Sequence, residues 1–240
     1  MARSGSTSSL VHGRIGDPAP AASPTLGRDI HMKTPQIQRL GNPLSDRSKP
    51  DWCNLKWLAS ITGADDGIVG TYFIVAANRL VEIAVKKVVE RPDCLFMPIA
   101  YLYRHGTELM LKDLIQLGIA IGVIHTADYK IYDLNREHRL DVLWSIASIG
   151  LKRRWPKASS NSLKKINTII SDLHTMDPSG QGFRYSRDTK KRMNMNLYPD
   201  SVVLSDLRSA MGNVFELLEP CREEFLYDLS EMERGQSYKL

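Results

Sequence analysis

The chain has 240 residues, enough for one globular domain of ordinary size with an appendage, or for two small domains. Apolar residues make up 42% and charged residues 25%, which excludes collagen-like, coiled-coil and wholly disordered chains. The net charge is +5, but residues 1–50 carry +4 of it, seven Lys/Arg against three acids, so the remainder is nearly neutral and overall charge does not argue for a polyanion partner.

Residues 1–50 are rich in Ser, Pro, Gly and Arg and hold too few apolar groups to offset the entropy of ordering, so a disordered leader is expected there. Its Arg- and Ser-rich start resembles an organelle transit peptide without an amphipathic face, and Met32 is an alternative native start. Folded sequence is expected over 51–235. It opens on the apolar cluster Trp52, Leu55, Trp57 and Leu58, ahead of Gly63 and Gly67.

From about Ile68 to Glu90, Phe73, Ala77, Leu80, Ala84 and Val88 recur at three and four, which predicts a helix ended by Pro92. Pro98 suits the first turn of the next helix, where its missing N–H is of no consequence, and that helix continues to about Leu117. Gly118 to Tyr132 is β-branched and alternating enough for a short strand pair, with an irregular connection as the alternative. Its apolar stretch, 118–124, is far short of the about 20 residues that span a bilayer.

Leu140, Leu143, Trp144, Ala147 and Leu151 mark a third helix, and Leu163, Ile166, Ile169, Ile170, Leu173 and Met176 a fourth from Ser159 to Met176. Residues 177–199 read as a long loop. A last helix begins near Ser201, broken or kinked at Pro220. Five helices predict an all-α, up-and-down bundle.

Cys53, Cys94 and Cys221 are widely spaced and odd in number, which argues against a disulfide framework and against a structural zinc site. No phosphate-binding glycine loop, nucleophile elbow or His-Glu-x-x-His stands in the chain. The expectation is a soluble cytoplasmic protein with no metal, no cofactor and no membrane association.

Chemistry concentrates in three segments. In the second helix, at about 100° per residue, Arg104, Glu108, Lys112 and His105 share about a quarter of the wheel while the rest is largely apolar. Either these are i, i+4 ion pairs, or Arg, His and Glu converge on a cleft for proton transfer and phosphate binding. His138 stands at the start of the third helix, as a cap or as a member of that cleft. Phe183, Arg184, Tyr185 and Arg187 follow Asp177 in a glycine-bearing loop. Lys152 to Arg192 holds eleven Lys/Arg against three acids, so this zone is either a solvated face or a surface where Phe183 and Tyr185 stack bases while Lys/Arg contact phosphate.

Taken in order, Tyr-Arg-His-x-x-Glu-Leu-x-Leu-Lys at 103–112, His-x-Leu-x-x-Leu-Trp at 138–144 and Asp…Phe-Arg-Tyr at 177–185 resemble bacterial proteins of the HEPN superfamily, over about residues 93–188. The resemblance implies a helical bundle that commonly dimerises. It also implies RNA binding and metal-independent endoribonuclease activity of a toxin–antitoxin or anti-phage system, with a cognate antitoxin or other partner protein. Arg104, His105, Glu108 and His138 would then be catalytic, and Lys112, Phe183, Arg184, Tyr185 and Arg187 would bind substrate. The chain departs from the family in one respect: no Arg precedes a His by four to six residues. The alternative is a noncatalytic helical module that dimerises or docks a partner protein.

Overall fold

The structure, a computed structural model, describes residues 66–88, 91–185, 187, 190–193 and 201–237. The expected leader, the Trp52–Leu58 cluster and much of the loop beyond Tyr185 lie outside the described residues. Among the described residues six helices follow in order: α1 (Asp66–Val85), α2 (Asp93–Ala120), the single turn α3 (Thr126–Tyr129), α4 (Leu140–Arg154), α5 (Ser160–Met176) and α6 (Leu204–Ser237). Among the described residues there is no strand, only an isolated bridge between Arg187 and Met193. The fold is an all-α bundle, as the periodicities predict.

At its centre lies α2, which packs against α1, α4 and α6. Its buried Ile99, Tyr103, Met110, Leu111, Leu114 and Ile115 join Ile74 and Val81 of α1, Leu143 and Ile146 of α4, Ile170 of α5 and Phe225 of α6 in one core. Where α1 crosses α2 the backbones touch: a Cβ on Gly70 would stand 2.7 Å from the Gly106 carbonyl oxygen, and one on Gly106 2.8 Å from that of Gly70. This crossing sets the height of Arg104 and Glu108 within the bundle.

Four local expectations need correction. The first helix stops at Val85, not Glu90, because Lys87 turns left-handed (φ 53°) and its N–H bonds to Ala84 O (3.1 Å) while that of Val88 bonds to Ile83 O (3.2 Å). Pro98 lies inside α2 rather than in its first turn, since the helix begins five residues earlier. The segment after Leu117 forms no strand pair. There α2 runs on to Ala120 and ends in a Schellman motif, with Gly122 at φ +77°, Gly122 N–H bonded to Ile119 O (3.1 Å) and Val123 N–H to Gly118 O (2.9 Å). Ile124 then enters the space left by Gly118 and Gly150. Finally, the break that Pro220 could cause is absent: α6 continues through it, held on either side by the buried Leu218 and Phe225 and by the ion pairs Arg222–Asp113 (2.7 Å) and Arg154–Asp228 (2.7 Å).

Helix α1 also corrects the reading of apolar length. An 18-residue window within it has a mean hydropathy of 1.6, so it is long and apolar enough to cross a membrane by length and composition. Arg79 and Glu82 interrupt any strictly apolar run, which is why the stretch escapes notice. Ile74, Ala77, Val81 and Ala84 are buried in the bundle, while Tyr72, Val75, Ile83 and Val85 are exposed.

Candidate functional site

The three segments singled out by sequence meet at Arg104. Projecting from the middle of α2 with only 3% of its side chain exposed, Arg104 donates from Nη1 to Glu108 Oε2 (3.0 Å), from Nη2 to the His138 carbonyl oxygen (2.8 Å) and from Nε to the Asp177 carbonyl oxygen (3.1 Å). Asp177 Oδ2 lies 3.4 Å from the same Nε. Each direction of the planar guanidinium fork therefore holds a different segment of chain.

Asp177 follows α5 directly and is fully buried. Its Oδ1 accepts the Gly182 N–H (2.8 Å) and its Oδ2 the Phe183 N–H (3.4 Å), which closes the loop over Arg104. Gly180, at φ +74°, rests against the guanidinium so closely that a Cβ would stand 2.9 Å from Nη1. This buried aspartate is absent from the expected site. Its sequence signals are its place after a helix, the glycines three and five residues later, and its position at the head of the Asp…Phe-Arg-Tyr segment.

Glu108 takes donors on both oxygens. Arg104 occupies Oε2, and His138 Nδ1 (2.8 Å) and Lys112 Nζ (3.1 Å) converge on Oε1. Burial acts to raise its carboxyl pKa, but the His138 hydrogen bond and the Lys112 ammonium outweigh that and hold it below the usual carboxylate range. An ionised Oε1 accepts hydrogen bonds only, so the proton of the His138 ring belongs on Nδ1. In the neutral ring Nε2 then carries the lone pair, on a side chain 51% exposed.

His138 does not cap its helix. Arg139 holds the N-cap position of α4, and Glu137 Oε1 accepts the N–H groups of His138 (3.1 Å) and Arg139 (2.9 Å). With the carboxylate of Glu137 serving the backbone, the imidazole is left to Glu108.

His105 stands apart from this hydrogen-bonded network, although the helical wheel groups it with Arg104. It stacks on Tyr101 (5.5 Å between centroids, 7°) and meets Phe73 edge-on (4.7 Å). Burial lowers its pKa, and the charges of Arg184, Arg104 and Lys112 lower it further against the opposing pull of Glu108. At neutral pH the ring is therefore uncharged and serves as an aromatic surface.

The loop residues separate in the same way. Phe183, expected to stack a base, is 5% exposed and packs edge-on against Phe96 (6.0 Å) because the core needs its ring. Arg184 is exposed, holds the Gly180 carbonyl through Nε (3.2 Å) and Nη2 (3.0 Å), and lies over the rings of Tyr101 (5.7 Å) and Tyr185 (5.9 Å). Tyr185 is 58% exposed. Arg187 donates to Lys191 O (2.8 Å) within its own loop and takes no part in the network.

Two features thus lie side by side: a carboxylate–imidazole pair whose histidine is half exposed, and a ladder of His105, Tyr101, Arg184 and Tyr185. Lys112 borders a cavity of about 150 Å³ with Asp66, Gln116 and Asn135. Among the described residues no group of His, Cys, Asp and Glu is arranged to hold a metal ion. No protein-family model, no curated protein and no solved structure matches the chain.

Proposed function

We propose that the protein binds single-stranded RNA and cleaves it without a metal ion, with His138 as the proton acceptor. The observation that carries this reading is the 2.8 Å bond from His138 Nδ1 to the buried Glu108, on a histidine half open to solvent. A carboxylate fixed in this way orients the ring, and the neutral imidazole can take the proton of a ribose 2′-hydroxyl on Nε2. The 2′-oxygen then attacks the adjacent phosphorus, the P–O5′ bond breaks and the 5′-oxygen takes a proton from water while His138 returns its own to solvent, giving a 2′,3′-cyclic phosphate and a 5′-hydroxyl end. Arg104 cannot meet the phosphate, because its guanidinium is sealed inside the bundle. Lys112, partly exposed beside Glu108, is the cation assigned to that task. Bases would stack on the ladder of Tyr101, Arg184 and Tyr185, which is tolerant of sequence.

The HEPN resemblance supports this reading. Dimerisation, a cytoplasmic location and a toxin–antitoxin or anti-phage role rest on that resemblance alone. A second reading, a noncatalytic module, draws support from the nearly complete burial of Arg104, Glu108 and Asp177, which suits a structural clasp.

One experiment separates the two. Full-length protein and a His138→Ala variant are incubated with mixed RNA in EDTA, and the ends of any fragments are mapped. Cleavage to cyclic phosphates, reduced by about 10²-fold or more in the variant, supports proton transfer by His138. Equal cleavage by both proteins overturns it. Retarded but intact RNA favours the noncatalytic module.

A further inference from the structure

A groove of about 530 Å³ lies between the C-terminal half of α4 and the first turns of α5, toward the other end of α4 from His138. That volume is within the roughly 300–1,000 Å³ range of small-molecule sites. Its apolar side is made by Trp144, Trp155 and Leu163, and its polar side by Ser148, Asn167, Thr168 and two lysines, Lys152 and Lys164. No carboxylate lines it.

The two lysines differ from most of the cations around them. Arg153 is bound to Asp128 and Arg154 to Asp228, and Lys165 bonds to Asn213 Oδ1 (2.6 Å). Lys152 and Lys164 make no ion pair among the described residues. They stand on two different helices and line the same groove, so their positive charge is left for something that enters it. The wall beside them is preorganised: Trp155 stacks on the buried Phe225 (5.5 Å, 6°) and lies under the Arg154 guanidinium (5.3 Å), which Asp228 fixes. A rigid apolar wall facing two unneutralised cations fits one class of ligand.

We propose that this groove binds a small organic anion, a flat apolar body carrying a phosphate or carboxylate, with the head group between Lys152 and Lys164 and the body against Trp144, Trp155 and Leu163. The assignment does not depend on the RNA reading, and its test uses no RNA.

Titration calorimetry on the full chain with 2-naphthyl phosphate, 2-naphthoate, 2-naphthol and inorganic phosphate tests it. Binding of at least one naphthyl anion is expected, with the neutral naphthol and inorganic phosphate each about ten-fold weaker or more. The relative strengths of the phosphate and the carboxylate identify the head group. A Lys152→Gln/Lys164→Gln double variant, altered only at exposed positions, is expected to bind the anion about ten-fold more weakly. Lys157→Gln removes a neighbouring exposed lysine that does not line the groove and is expected to leave binding unchanged. No binding of either naphthyl anion overturns the proposal. Equal binding of naphthol, or an equal loss in the Lys157 variant, would show mere apolar or unlocalised charge attraction and would also overturn it.

Discussion

Arg104 points each arm of its guanidinium at a different segment of chain, and this makes it a clasp. It joins α2 to the start of α4 through His138 O and to the end of α5 through Asp177. Burying such a charge is tolerable only while every donor is answered, and breaking one partner leaves the others uncompensated. Gly180 sets the tolerance of the clasp, because its positive φ and its contact with the guanidinium both exclude a side chain. Gly180→Ala would force a left-handed alanine, at about 1–2 kcal/mol, and would displace the Arg104 fork. Urea denaturation is expected to show a loss of at least that size, and an unchanged midpoint would mean that the loop does not press on Arg104. Exposed His138 is different: its ring can be removed without opening the core, so activity and stability should separate there.

At the scale of elements, what periodicity could reveal was the buried stripe of each helix. Helix α5 is plain in the sequence because Ile166, Ile170 and Leu173 recur on one face and are the residues buried in the structure. Helix ends were less legible, since they are decided by backbone hydrogen bonds that several sequences satisfy. In α2 the β-branched Ile119, Ile121 and Val123 suggest a strand, yet Gly122 supplies a C-terminal cap and the helix extends instead. At the end of α1 the same motif carries Lys87 at the left-handed position, where nothing in the sequence announces it. The cost of that lysine is a prediction: Lys87→Gly should stabilise the protein by about 0.5–1 kcal/mol, since glycine enters the left-handed region freely. A lower denaturation midpoint in the glycine variant would contradict the cap. The candidate site was legible in part for a related reason. Spacing on one helix brings Arg104 and Glu108 together, whereas the arrival of Asp177 and the departure of His105 depend on which neighbours pack against α2.

For the whole molecule, the buried groups on and around α2 tie stability to pH through two different ionisations. Glu108 is held below its ordinary value of 4.5 in the folded protein. Its contribution is therefore complete above that value and is lost as pH falls through the lower folded one. His105 is a base whose pKa folding depresses from 6.5, so the unfolded chain takes up its proton first. The stability this uncharged ring supports is present above 6.5 and declines as pH falls from there toward the folded value. Acid should thus weaken the bundle in two stages, with the histidine stage at higher pH. His105→Phe keeps an aromatic ring between Tyr101 and Phe73 and removes only the titration. Thermal midpoints at pH 7.5, 6 and 5 are expected to fall less steeply for the Phe variant than for the parent. Subtracting the two curves cancels the other titrating groups, because those are common to both proteins. Parallel declines would mean that His105 titrates alike in the folded and unfolded chain, and that burial between Tyr101 and Phe73 does not hold its ring uncharged.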